Sequence, residues 1–353
     1  MALTQIQKTL IAKVKAVGNS EMAVPLDDEV CSYLVSVVAN DLGLRRRFPE
    51  FSVSPPPFFG TAPLASLRLP NVNFLKVFER LIHFKGDADS YFVCLATLHR
   101  ARLKYERILR AQPVPTIDQV GPRGLLQFGS LNPQALAGFL FWRKWIFDID
   151  NRAGQEAGYL FDPIIANAIG GVAASAKRSP VKRNGDGPGR QVDCVREVDK
   201  RAYEIKLRVT ISASGQGRWQ EELGFPEDCR ASGYTPVLIV LDPTDNPKLA
   251  VLRKTFADAD GESYVGQYAW DHLESMAGKT MAKFISKYVH VPIEALLRDA
   301  PENLPDITFS MHDDQLVIEV AGEELIVQRQ PSEALAEGPD ELPEDVAGDT
   351  PGV

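Results

Sequence analysis

A continuous apolar run, TPVLIVLDP at residues 235–243, constrains the fold more than any other feature of this chain. A strand with one solvated face alternates apolar and polar residues, whereas a strand covered on both faces is apolar throughout. The run therefore predicts a strand buried between layers of helices. An α/β fold with a central mixed β-sheet flanked by helices follows from it.

The chain upstream is expected to be a mainly helical N-terminal region over residues 1–130. Asn132 is an N-cap candidate and Pro133 suits a first helical turn, so a further helix should begin there. We expect it to stop or kink near the Asp-Pro step at 162–163 and to end at the Gly-Gly pair at 170–171. Apolar residues recur at helical spacing in three stretches of the first region, residues 30–42, 73–84 and 91–109.

The chain downstream of residue 131 carries the sheet, and we expect its core to extend to residue 305. Residues 190–196 and 200–212 alternate and are rich in β-branched side chains, which predicts a hairpin. We read residues 215–233 as a helix and residues 271–289 as another. Strands are expected at residues 249–256 and 263–270, and a terminal β-meander within 306–330.

The charge distribution separates a tail from the rest of the chain. The formal net charge is −8, but residues 331–353 contain seven acids and no base, so residues 1–330 carry only −1. The tail is rich in proline and glycine and poor in large apolar residues, so it cannot offset the entropy of ordering. We expect it to be disordered.

Composition excludes several classes of protein. An apolar fraction of 44% and a charged fraction of 24% are ordinary for a globular chain, and no run approaches the ~18 apolar residues of a membrane span. The first 20 residues lack a signal-peptide pattern, so we expect a cytoplasmic protein with no membrane contact. The cysteines form no Cys-x-x-Cys pair, which predicts reduced, buried thiols: Cys31, Cys94, Cys194 and Cys229.

The hairpin contains the residues that point to chemistry. On a strand through residues 203–209, Glu204, Lys206 and Arg208 share one face, while apolar side chains take the other. The turn of the hairpin should bring Asp193 beside Glu204. Two carboxylates converging near a lysine form an oxygen-lined site of the kind that Mg²⁺ prefers. The ion would polarise a phosphoryl oxygen and activate a water, and the lysine would neutralise developing charge.

The pattern Asp193…Glu204-Ile205-Lys206 resembles the PD-(D/E)xK nuclease superfamily. A helix and a buried strand follow it in the order that this superfamily shows. The resemblance implies a restriction-endonuclease-like core, with Asp193 and Glu204 as metal ligands and Lys206 as a further catalytic residue. Members often carry another acid on a preceding helix, and Glu156 occupies that place. Val192 stands where many members have proline.

Within that superfamily the chain is most similar to type II restriction endonucleases, and residues 161–183 suggest the ApaLI-like group. The resemblance implies Mg²⁺-dependent cleavage of double-stranded DNA by a homodimer, since a twofold protein places identical sites on both strands. Two alternatives stay open. One is a repair or mobile-element nuclease of the same fold, and the other is a non-catalytic interaction protein in which Glu204 and Lys206 form a structural ion pair.

DNA contacts are expected from basic and amide side chains around the hairpin, because phosphate neutralisation supplies most non-specific affinity. A solvated basic loop is the alternative for each cation of the segment 175–183. The basic stretch at 98–110 is expected to be a solvated outer face rather than a DNA contact. The candidates are Lys177, Arg178, Lys182, Arg183, Arg208, Gln216 and Arg218.

Overall fold

A computed structural model describes residues 3–16, 24–51, 54–207, 216–312 and 314–330. Residues 331–353, which we expect to be disordered, and Arg208 lie outside the described residues. The first part of the chain is helical, as predicted. Its helices are α1 (Gln5–Lys15), α2 (Asp28–Asp41), α3 (Phe74–Phe84), α4 (Ala88–Ala111), α5 (Ile117–Gly124) and α6 (Pro133–Ala168).

Helix α6 begins where the sequence predicts and ends at Ala168, just before the predicted end at the Gly-Gly pair at 170–171. The Asn132 side chain accepts a hydrogen bond from the Ala135 amide at 2.9 Å, and Pro133 occupies the first turn. Of the stop or kink expected near 162–163, the stop is wrong, because the helix continues through Pro163 to Ala168. Proline removes one backbone hydrogen bond, but Ile165 and the residues around it are buried in the core and offset that loss.

Within the described residues the central sheet has five strands in the order of the chain: β1 (Val172–Ala174), β2 (Val192–Arg196), β3 (Arg201–Lys206), β4 (Thr235–Val240) and β5 (Glu262–Val265). The first three pair antiparallel, and β3, β4 and β5 pair parallel. Helices α7 (Gln216–Ala231) and α8 (Pro247–Asp258) form the crossovers between the parallel strands. The predicted mixed sheet flanked by helices is confirmed.

Strand β4 is covered on both faces, as its apolar run predicts. Val237 and Ile239 belong to a core shared with the N-terminal helices, and Leu238 and Val240 to a second core with α7 and α8. All four side chains are at most 1% exposed. The sheet is therefore the middle layer of the domain.

Two predicted strands are wrong in whole or in part. Residues 249–256 lie within α8, whose N-cap is Asn246, and the buried residues Leu249, Leu252 and Phe256 recur at helical spacing. Residues 263–270 are divided between β5 and the helix α9 (Gln267–Ile285), because Gly266 turns the chain with φ of 59°. Residues 249–256 form a helix and not a strand because the apolar side chains at helical spacing pack together against the core.

The C-terminal part contains α9, a π-helical turn at Ser286–His290, α10 (Val291–Arg298) and a separate antiparallel meander. The meander is formed by β6 (Ile307–His312), β7 (Gln315–Val320) and β8 (Glu323–Gln328), as predicted. It packs on α4 and α6, and Leu316 and Val327 are buried with Trp145. The four cysteines are unpaired and buried, as predicted.

Candidate active site

The hairpin register brings Asp193 and Glu204 together. Cys194 pairs with Tyr203 across β2 and β3, so the next step of the antiparallel ladder places Asp193 opposite Glu204 on the same face. Oδ2 of Asp193 accepts a hydrogen bond from the Ile205 amide at 2.7 Å, which fixes that carboxylate against β3. The predicted juxtaposition of the two acids is confirmed.

Lys206 lies between two carboxylates. Its Nζ is 3.1 Å from Oε1 of Glu204 and 3.1 Å from Oε1 of Glu222, which projects from α7. Burial lowers the pKa of Lys206, but the two carboxylates outweigh burial and raise it above 10.5. The lysine is thus held charged, with 15% of its side chain exposed. Glu222 was not predicted from the sequence.

Asp162, near the end of α6, completes the cluster of acids. Burial and the neighbouring carboxylate of Glu204 raise the pKa of Asp162 from 3.8 to about 6, while Lys206 opposes the change. Burial also raises the pKa of Asp193 well above 3.8, and Glu204 and Asp162 add to the effect. Perturbation of this kind, by desolvation together with like charges, is typical of catalytic sites.

The donor set fits a hard divalent cation. Asp162, Asp193 and Glu204 repel one another, and a bound cation would relieve that repulsion with the oxygen ligands that Mg²⁺ prefers. Within the described ranges, however, no three or more acidic, histidine or cysteine side chains are arranged to hold a metal ion. The candidate ligands therefore stay the pair named from the sequence, Asp193 and Glu204.

Glu156 is not brought into this cluster. Its carboxylate pairs with Lys104 of α4 at 2.5 Å, on the contact between the two long helices. Asp162 lies six residues later, which on an α-helix is about 9 Å along the axis and about 240° around it. The acid of α6 that faces Glu204 is therefore Asp162. Its sequence signal was an acid inside the apolar stretch YLFDPIIANA.

The predicted DNA-contact residues differ in exposure and in their ion pairs. Lys177 and Arg178 are exposed in the loop after β1. Lys182 is half-buried, and Arg183 pairs with Glu221 of α7 through Nη1 at 2.6 Å and 2.7 Å. Gln216 and Arg218 lie in the first turn of α7. These assignments stay predictions.

The basic stretch at 98–110 differs from expectation. Arg100 and Arg102 are half-buried and donate to backbone oxygens of Val14 and Phe58. The guanidinium of Arg102 also lies 4.8 Å from the ring centroid of Phe58. These two cations fasten α4 to neighbouring segments and do not form a solvated outer face.

Comparison with known proteins agrees with this geometry. The family model of the ApaLI-like restriction endonucleases matches residues 65–290, which contain every acid of the cluster and Lys206. The chain belongs to this family. It is 46% identical over 265 residues to the type II restriction enzyme ApaLI of Acetobacter pasteurianus, an alignment that covers 71% of each chain. No solved structure matches.

Membership favours the restriction endonuclease over the repair nuclease and the interaction protein among the three hypotheses drawn from the sequence, while Mg²⁺ dependence and the homodimer stay predictions. The chain is a restriction endonuclease, and its core has the fold of that class. Its reaction is therefore the site-specific hydrolysis of phosphodiester bonds in DNA. Within the described part of the chain, none of the helices combines the length and apolar character needed to cross a bilayer.

Proposed function

We propose that this restriction endonuclease is of type II and cleaves double-stranded DNA with Mg²⁺ at the cluster of Asp162, Asp193, Glu204 and Lys206. The observation that carries the proposal is the position of Lys206. Its ammonium group lies 3.1 Å from the carboxylate of Glu204, and both residues belong to β3, the strand that pairs with the Asp193 strand β2. A surface ion pair would leave both groups solvated, whereas here both side chains are less than one-fifth exposed.

Asp193 and Glu204 would hold the divalent ion. The Asp162 carboxylate of α6 would add a further negative charge beside these two ligands. The ion, when bound, polarises the scissile phosphate and lowers the pKa of a water. Lys206 would donate to the phosphate or to the nucleophilic water and neutralise the charge that develops on the phosphoryl oxygens. The amide of Ile205 holds the Asp193 carboxylate in place.

Glu222 would act as a positioning residue for Lys206. A divalent ion held by Glu204 would compete with the ammonium group for that carboxylate. Glu222 provides a second carboxylate at the same 3.1 Å distance, which would keep Lys206 anchored if Glu204 served as a metal ligand. The amino group can then approach the phosphate from a fixed point.

The DNA would be bound along the edge of the sheet at which the acids lie. Lys177, Arg178, Lys182 and Arg183 precede the hairpin and would neutralise phosphates. Arg183 would exchange Glu221 for a phosphate. Arg208, Gln216 and Arg218 follow β3 in the sequence and are candidates for contacts to bases or phosphates. We further propose a cytoplasmic homodimer that acts on a palindromic site.

The test is incubation of the purified protein with plasmid DNA and Mg²⁺. Discrete fragments that fail to form in EDTA support the proposal, and Asp193→Ala serves as the inactive control. Nicking or smearing would favour a structure-specific nuclease instead. Intact DNA with a folded protein would overturn the proposal.

A further inference from the structure

The N-terminal half of α6 carries an apolar face that no described element covers. Phe139, Ile146 and Phe147 are exposed on it, and Leu125, Leu126 and Phe128 are exposed in the connection between α5 and α6. Arg143 joins the two groups, because its guanidinium lies 5.7 Å from the Phe139 ring and donates to Gln127 at 3.1 Å. We call these six apolar residues, with the polar ones between them, the α6 face.

The area of the α6 face is close to what one partner contributes to a stable interface. Its six apolar side chains are between 39% and 87% exposed. With roughly 200 Å² per large side chain, they present on the order of 700 Å² of apolar surface. A stable interface buries about 800 Å² per partner, and the largest apolar patch of a monomer is usually about 300–600 Å².

The order of residues along α6 makes this face complementary to itself. At 100° per residue, Phe139, Arg143, Ile146, Phe147 and Asp150 fall within about 100° of the helix circumference. In an antiparallel pair with its midpoint between residues 146 and 147, residues whose numbers sum to 293 oppose each other. Ile146 then faces Phe147 and Arg143 faces Asp150 of the second copy, twice by symmetry.

The remaining position of this register also fits. Phe139 faces Gly154 of the second copy, and a Cβ placed on Gly154 would have no neighbouring atom within 4 Å. The large ring therefore meets an open position. In this one register, apolar side chains face each other, opposite charges face each other, and the large Phe139 ring faces a glycine. We propose that the α6 face binds the α6 face of a second copy of this chain, with the helices antiparallel.

This contact differs from the one that would place two active sites on one short recognition site. Asp162 lies 15.5 residues from the midpoint, or about 23 Å at 1.5 Å per residue, so an antiparallel pair holds the two Asp162 residues about 45 Å apart. That distance is about 13 base pairs of duplex. The usual crossing angles of packed helices change it little. The contact therefore joins copies that act on separate sites.

The test is the mass of the DNA-free protein by sedimentation equilibrium at micromolar concentrations, in EDTA. We expect Phe147→Asp to halve the mass of the wild-type species, and Asp150→Arg to do the same by opposing like charges. The double variant Arg143→Asp, Asp150→Arg should restore it. Leu297→Asp on α10 is the matched control, since Leu297 is 55% exposed and Phe147 58%.

Four outcomes would overturn the proposal. They are equal mass for wild type and Phe147→Asp, no restoration by the charge swap, a larger mass after removal of residues 331–353, and loss of cleavage at a single site in Phe147→Asp. The third would mean that the tail covers the face. The fourth would mean that the face belongs to the catalytic pair. The first three leave the nuclease assignment intact, because they are measured without DNA or metal.

Discussion

Replacement of Asp162 by Asn should make the protein more stable and less active at the same time. The carboxylate of Asp162 is buried beside Glu204, and its pKa is raised from 3.8 to about 6. A tenfold change in proton affinity corresponds to about 1.4 kcal/mol, so ionisation of Asp162 costs the folded state up to about 3 kcal/mol. Asparagine has nearly the same shape and avoids that cost.

The sign of the pH dependence follows from the direction of the shift. Between pH 4 and 6 the folded state binds a proton at Asp162 that the unfolded state releases, so wild-type stability falls as the pH rises through this window. Below pH 4 the group is neutral in both states and the variant gains nothing. Above pH 6 the full difference is present. Since Asp193 shares the repulsion of Glu204, we expect a gain of about 1–3 kcal/mol at pH 8.

Urea unfolding between pH 4 and pH 8, in EDTA, measures this difference. Asp258→Asn is the control, because the Asp258 carboxylate is 62% exposed and pairs with Lys254 at the surface, a contact worth little. Plasmid cleavage by Asp162→Asn with Mg²⁺ should fall at the same time. A variant that is less stable than the wild type at pH 8, or equally stabilised at every pH, would refute the reasoning.

Three further outcomes are expected. Asp193→Asn should abolish cleavage because it removes a metal ligand, and it should leave DNA binding in a gel-shift assay intact or tighter because it also removes a charge that repels the phosphates. Cleavage at the wild-type rate would contradict the assignment of Asp193 to the active site. Glu222→Gln should lower kcat about tenfold with little change in KM, whereas Glu221→Gln, next to it on α7, should not; equal effects would mean that Glu222 only supports the fold. Truncation after Gln330 should leave cleavage and Tm unchanged, and a clear fall in Tm would show that the tail docks.

The parts of the fold that were predicted correctly are those in which periodicity and burial agree. The apolar run of β4 and the alternation in β2 and β3 predict the sheet, and the offset from Asp193 to Glu204 predicts the pairing of the two acids. Residues 249–256 were predicted wrongly because an apolar stretch of eight residues is ambiguous. The Asn-Pro pair at 246–247 was the helix signal that would have resolved it.

The sequence could not predict which acid of α6 lies beside Glu204. Glu156 and Asp162 both precede the hairpin, and the choice between them depends on which side of a 36-residue helix meets the sheet. That orientation comes from the packing of α6 on the core. Reading the Asp-Pro step as a stop or kink of the helix also drew attention away from Asp162. Glu222 depends in the same way on how α7 packs over β3.

The most direct test of the catalytic centre compares Lys206→Ala with Glu204→Ala in a Mg²⁺ titration of plasmid cleavage, with Tm measured in parallel. Lys206→Ala should bind Mg²⁺ and DNA but lose cleavage by about 100- to 1,000-fold, with no rescue at high Mg²⁺, because a preorganised charge at the phosphate is lost. Glu204→Ala should bind the ion more weakly and regain part of its activity at high Mg²⁺. Full activity in a well-folded Lys206→Ala protein would contradict the assignment of the catalytic centre.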